Sequence, residues 1–230
     1  VAATTKGPHS HAFRAGTPMS PKGCQACHAD TKAELGCEAC HGPGKEHAEA
    51  GGDKTKIRPF KSLSAKEASD TCVSCHFRTN HALWGGSQHD ERAVGCTSCH
   101  SIHAPAGDSQ LKAATQTALC AQCHRTIVNK QYKFNHMPVR EGKMECSSCH
   151  NVHGSPSEHL LVKRNVNETC YQCHAEKRGP FLWEHQPARD DCLTCHASHG
   201  STQRALLKQR APWLCQECHS VQGHPSTEYT

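Results

Sequence analysis

The chain has 230 residues, of which 35% are hydrophobic and 5% aromatic, and 18 are cysteines. A domain of this length normally buries a large apolar core, and this one lacks the side chains for it, so either it is disordered or something else fills its interior. Eighteen cysteines and 21 histidines argue against a merely solvating chain, and the formal charge of +5, taken alone, points toward a nucleic-acid partner.

Taken in chain order, all the cysteines fall into CxxC pairs, and histidine follows every pair. The N-terminal part, 1–60, carries Cys24, Cys27 and His28, then Cys37, Cys40 and His41, with starts only 13 residues apart. Gly42-Pro43-Gly44 predicts a turn after the second motif, and Gly51 to Pro59 reads as a linker or surface loop. Ser64-Ala65-Lys66-Glu67 reads as a capping box that opens a helix running into Cys72, Cys75 and His76. Cys96, Cys99 and His100 follow, then Cys120, Cys123 and His124, and then Cys146, Cys149 and His150. Asn165 to Glu168 caps the approach to Cys170, Cys173 and His174 in a similar way. Cys192, Cys195 and His196, and finally Cys215, Cys218 and His219, complete nine motifs.

CxxCH is the attachment signal of c-type haem: two thiols add to the two vinyl groups and the histidine binds iron from one side. On a helical turn, positions i, i+3 and i+4 share a face, so both sulfurs and the imidazole can meet one ring. Zinc sites pair CxxC with another CxxC or with HxxxH, and need no histidine after every pair. A disulfide scaffold leaves the histidines unexplained, and a thioredoxin-like CxxC occurs once per fold. Nine haem c groups are therefore expected. Their eighteen propionates would invert the +5, which removes the case for nucleic acid and leaves the basic residues as propionate partners and docking charges.

From Cys72 the motifs start 24, 24, 26, 24, 22 and 23 residues apart, with a longer period of about 48 made of two unlike motifs. The second of each pair carries a further histidine three residues on, at His103, His153 and His199, followed by a turn. Leu111, Leu161 and Leu206, each nine residues before the next motif, are expected core positions over haem faces. The expected organisation is an N-terminal dihaem segment and linker at 1–60, then repeated dihaem units at 72–119, 120–169 and 170–214, with an incomplete one at 215–230, within 61–230. Together they form one elongated haem wire. The expected fold class is a multihaem cytochrome c: short α-helices and irregular loops around a chain of haems, with little or no β-sheet.

Nine histidines are spent as proximal ligands, which leaves twelve. With three methionines in the chain, Met/His ligation cannot be general. His89, His136 and His185 recur before a second-type motif, and His103, His153 and His199 recur after one. These six, with His11, His47 and His224, form the predicted distal set. His9 is the reserve for His11, His81 is evenly balanced between ligand and surface, and His159 reads as a surface residue. Two imidazoles close an iron to substrate, so such haems pass electrons and do no catalysis. No CxxCK marks a catalytic haem, and no catalytic residue is assigned.

No run approaches the 18 or more apolar residues of a membrane span, and Val1 opens without a signal peptide, so a mature chain on the outer side of the inner membrane is expected. Several stretches resemble the decahaem periplasmic cytochromes of outer-membrane porin–cytochrome conduits, the MtrA/DmsE/PioA type. These are Gly36 to Gly44, Cys96 to His103, Gly179 to Pro187, Cys192 to His196 and His224 to Thr227, so the likeness runs from about Lys22 onward. The family carries ten motifs, where this sequence has nine. The resemblance implies a periplasmic protein associated with the outer membrane and inserted in a β-barrel porin partner. It would take electrons from periplasmic donor cytochromes and exchange them with an extracellular multihaem cytochrome or reductase. The sheath also makes physical sense, because a hydrophilic wire can cross about 30 Å of hydrocarbon only inside a large closed barrel. The alternatives are a soluble periplasmic electron shuttle or polymeric cytochrome wire, and, from another class, a multihaem reductase.

Overall fold

The computed structural model describes residues 38–130 and 133–219. Backbone contacts divide the chain into two units, Val1–Leu119 and Cys120–Thr230. Within each, the described residues form short helices and turns joined by irregular loops, and they contain isolated bridges but no strand.

The helices are short because few stretches carry an apolar stripe to bury. The longest described one, Ala65–Val73, is fixed by its cap: Ser64 accepts from the Glu67 N–H, and the Glu67 carboxylate accepts from the Ser64 N–H at 2.8 Å. Val166–Cys170 opens in half of that way, with Asn165 accepting from the Glu168 N–H at 2.8 Å. Each runs into a CxxCH motif, as expected. The buried hydrophobic side chains among the described residues are Ala68, Trp84 and Leu160. A protein interior this sparse cannot be the whole core of the folded molecule.

Polar contacts do the work of joining consecutive motifs. Ser69, three residues before Cys72, is fully buried and accepts from the Cys96 N–H at 3.1 Å. Asn167, three before Cys170, accepts from the Cys192 N–H at 2.7 Å and donates to the carbonyls of Ala188 and Arg189. Gly95 permits the first of these contacts, because a Cβ there would lie 2.7 Å from the Ala65 carbonyl oxygen. Gly95→Ala should therefore destabilise the holoprotein by about 1–3 kcal/mol, the usual cost of forcing an added group into a packed contact. Asn167→Ala should cost a similar amount, about 1–3 kcal/mol, by orphaning the half-buried Cys192 N–H. Thermal unfolding of the two variants, followed at the haem bands, measures both effects.

The segment from Gly51 to Pro59 lies largely exposed and is tied down locally: Asp53 caps the turn Lys54–Lys56, and the Arg58 N–H bonds back to the His41 carbonyl at 3.1 Å. One sequence expectation needs revision. The leucine register shifts. Antiparallel bridges join His100 to Leu111, His150 to Leu161 and His196 to Leu207, not Leu206. The position is set by eleven residues counted forward from the histidine, and the third unit has one residue fewer between it and the next motif than a fixed nine would require. Leu206 is thus the counterpart of Leu160 and Gln110, the two buried positions, while Leu111 and Leu161 are half-buried.

Candidate haem-ligation sites

Each of the seven motifs whose residues are all described is wound on one helical turn. The histidine N–H bonds to the carbonyl of the first cysteine at 2.8–3.0 Å, in His76, His100, His124, His150, His174, His196 and His219. This puts both sulfurs and the imidazole on one side, as the covalent attachment of a single ring requires. None of the described cysteines is joined in a disulfide. First cysteines of successive motifs lie within hydrogen-bonding reach of each other: Cys72 and Cys96, Cys120 and Cys146, Cys170 and Cys192. The attachment edges of these neighbouring sites therefore meet.

Opposed imidazoles mark where an iron would sit. His41 faces His103 with ring centroids 6.1 Å apart, His76 faces His81 at 5.8 Å, and His174 faces His136 at 6.1 Å. His150 faces His199 at 5.9 Å, and His219 faces His185 at 6.1 Å. A metal held by two imidazole nitrogens, each about 2 Å away, would separate the ring centroids by roughly 6.3 Å. Every one of these pairs joins a motif histidine to a histidine outside the motifs. Three are near-parallel, at 25°, 15° and 28° for His103, His199 and His185, whereas His81 and His136 stand at 59° and 82° to their partners.

The surroundings suit the same group. Burial, with His174 alongside, holds His136 below the ordinary histidine range. Burial, with His150 and Lys130 near, does so for His199. Both are thus neutral at pH 7, the form a metal takes. Backbone carbonyls hold the outer nitrogen of several rings: Arg58 O on His41 Nδ1 at 2.9 Å and Asp53 O on His47 Nδ1 at 2.7 Å, for example. A bond at Nδ1 leaves Nε2 to face a metal. Large apolar side chains stand exposed beside these sites in the chain: Phe77 next to His76, Leu182 and Trp183 before His185, Trp213 before Cys215. A porphyrin at each imidazole would shelter them. The donor set, the spacing and the apolar rim all fit haem.

Of the predicted distal residues, His103, His136, His185 and His199 stand opposite a motif histidine. His47 lies half-buried on the helix Lys45–Glu49, His89 half-buried on Gln88–Glu91, and His153 half-buried just past His150. Cys24, Cys27, His28, Cys37, His9, His11 and His224 lie outside the described residues. His81 was not in the predicted set, and the structure places it directly over His76. Its one signal in the sequence is its place five residues past a motif, which His224 shares.

Comparison with known proteins bears on the same features. The family described as the doubled CXXCH motif matches residues 89–129, 136–179 and 185–224. The multiheme cytochrome MtrA of Shewanella baltica (strain OS185) is 46% identical over 226 residues, which is 97% of this chain. The chain spans 63% of that relative's length. With its motifs wound for covalent attachment and its imidazoles opposed in pairs, the chain belongs to the doubled-CXXCH family, the multihaem c-type cytochromes.

Proposed function

We propose that this chain holds nine haems, closes each iron with two imidazoles, and passes electrons between periplasm and cell exterior within an outer-membrane porin–cytochrome complex. The observation that carries the reading is the set of five imidazole pairs, each made of one motif and one non-motif histidine. The proximal ligands are His28, His41, His76, His100, His124, His150, His174, His196 and His219. The distal ligands are His103, His81, His136, His199 and His185 for the paired sites. His11, His47, His89, His153 and His224 are the candidates for the other four irons.

The haem supplies one-electron chemistry when bound, and the chain supplies ligands, spacing and burial. Its residues hold the imidazoles in place, and an iron closed by two of them has no position left for substrate. The porin, the periplasmic donors and the extracellular acceptor come into the proposal from the likeness to porin–cytochrome conduits. Among the described residues no helix is long and apolar enough to cross a membrane. Two experiments test the two halves. Intact-mass measurement should find nine haems on the polypeptide; eight or fewer, or zinc, would refute the count. Purification from membranes should bring down a large β-barrel, and a cytochrome recovered free of any barrel would favour a soluble shuttle.

A further inference from the structure

Three turns of one design close on three of the motif histidines. They span Asp108–Leu111, Glu158–Leu161 and Arg204–Leu207, and in each the fourth N–H bonds to the first carbonyl, at 3.1, 3.4 and 3.2 Å. Both central residues are left-handed in every case: Ser109 and Gln110 at φ +51° and +59°, His159 and Leu160 at +56° and +57°, Ala205 and Leu206 at +52° and +55°. This is the mirror-image turn that glycine, asparagine and aspartate normally fill. None of the six residues is of that kind, and each carries the crowding of a Cβ against its backbone. Such a backbone persists only where its surroundings hold it, and its repetition at three sites points to a use.

The use lies in where the middle carbonyl points. Ser109 O meets His100 Nδ1 at 2.9 Å, His159 O meets His150 Nδ1 at 2.7 Å, and Ala205 O meets His196 Nδ1 at 2.8 Å. A carbonyl can only accept, so the proton sits on Nδ1 and Nε2 is left to the metal. The rest of each turn braces this aim. The residue after the histidine donates to the second central carbonyl: Ser101 to Gln110, Asn151 to Leu160, Ala197 to Leu206, at 2.7–2.8 Å. Lys112, Val162 and Lys208 donate back to the second cysteine of the motif at 2.9 Å. Ser155 and Ser201 hydroxyls hold the carbonyls of Leu161 and Leu207 from the outside. The side chains at the two left-handed positions share nothing, being Ser-Gln, His-Leu and Ala-Leu, so the backbone shape is what repeats.

We propose that these turns are clamps that set the reduction potential of the haems on His100, His150 and His196, with Ser109, His159 and Ala205 as the positioning residues. The proposal rests on the reading of those histidines as iron ligands. The Nδ1–H bond to a fixed carbonyl makes the imidazole a stronger donor through Nε2. A stronger donor favours the ferric form, so the clamp holds these haems at a lower potential than the same ligand would give unbonded. The proton stays on Nδ1 throughout, and no group needs to titrate.

The test is a potentiometric titration of the holoprotein, followed by electron paramagnetic resonance. Ala205→Pro forces φ of that residue to about −65° and swings its carbonyl off His196. One haem should then reduce more easily, by about tenfold in its equilibrium, or 59 mV upward for one electron. Ala205→Gly keeps the left-handed backbone and should leave every midpoint in place. The pair Ser109→Pro and Ser109→Gly repeats the comparison at His100, should the first proline variant not accumulate. If the proline variants keep every haem attached and low-spin with no midpoint moved, or if proline and glycine shift it alike, the clamp is overturned. Peptide mapping of the unsubstituted protein separates the underlying reading, since a His196 motif without attached haem would refute ligation itself.

Discussion

Replacing His136 with alanine should open one iron to water and produce a new high-spin signal worth one haem. His136 lies 6.1 Å from His174, ring to ring. Met137 is its neighbour in the chain, but the matching positions after His89 and His185 hold Asp90 and Gln186, so methionine is no general ligand there. The helix Met137–Arg140 begins at the next residue, and the Val139 N–H bonds to the His136 carbonyl at 3.0 Å, which anchors the ring's backbone. Axial ligation tunes haem potential over about 0.8 V across proteins, so losing one imidazole should move the site by on the order of 0.1 V. At 59 mV per tenfold this is a factor of roughly 50 in occupancy of that site by an electron. In a single-file wire every electron passes it, so transfer through the whole protein should slow by a comparable factor. Spin quantitation of the oxidised variant and a stopped-flow reduction rate check the two consequences. A wholly low-spin spectrum with an unchanged rate would show that His136 is no ligand.

The chain without haem should be unfolded. Ordering one residue's backbone costs about 1–2 kcal/mol. Fully burying a large apolar side chain returns about 1.5–3 kcal/mol. Ala68, Trp84 and Leu160 are the buried apolar side chains among the described residues; they cannot carry those residues on such terms, and the described cysteines form no disulfide to help. Folding and haem attachment are then one event, as metal binding and folding are in small metallodomains. Circular dichroism of protein made without the attachment machinery should show a coil-like spectrum and no cooperative melt. A sharp thermal transition in that material would contradict the account of the core.

What the sequence made legible was local. The CxxCH motif and the Ser64–Glu67 box each act within one helical turn, and both appear as read. Recurrence set His89, His103, His136, His153, His185 and His199 apart in the sequence, and the structure brings His103, His136, His185 and His199 opposite motif histidines. Which ring faces which could not be read, since His41 meets His103 and His150 meets His199 across a whole repeat, and spacing says nothing of such distances. His81 stayed evenly balanced in the sequence because it recurs in no other complete unit, and its ring lies 5.8 Å from that of His76. The left-handed turns were hidden for a chemical reason: their positions hold Ser, Gln, His, Leu and Ala, and the usual signal is glycine or asparagine. The carbonyls of Arg58, Ser109, His159 and Ala205 are invisible for a simpler one, as any residue can supply a carbonyl. Counting backward from the next motif misplaced Leu206 by one residue, because the fixed length runs forward from the histidine through the turn.

The central claim is that paired imidazoles close the irons, so that the chain conducts and does not react. Electron paramagnetic resonance of the fully oxidised, unsubstituted holoprotein tests it most directly. The account predicts that the integrated spectrum is low-spin throughout, with no high-spin component. A high-spin signal amounting to one haem or more would mean an iron with an open position, and would contradict it.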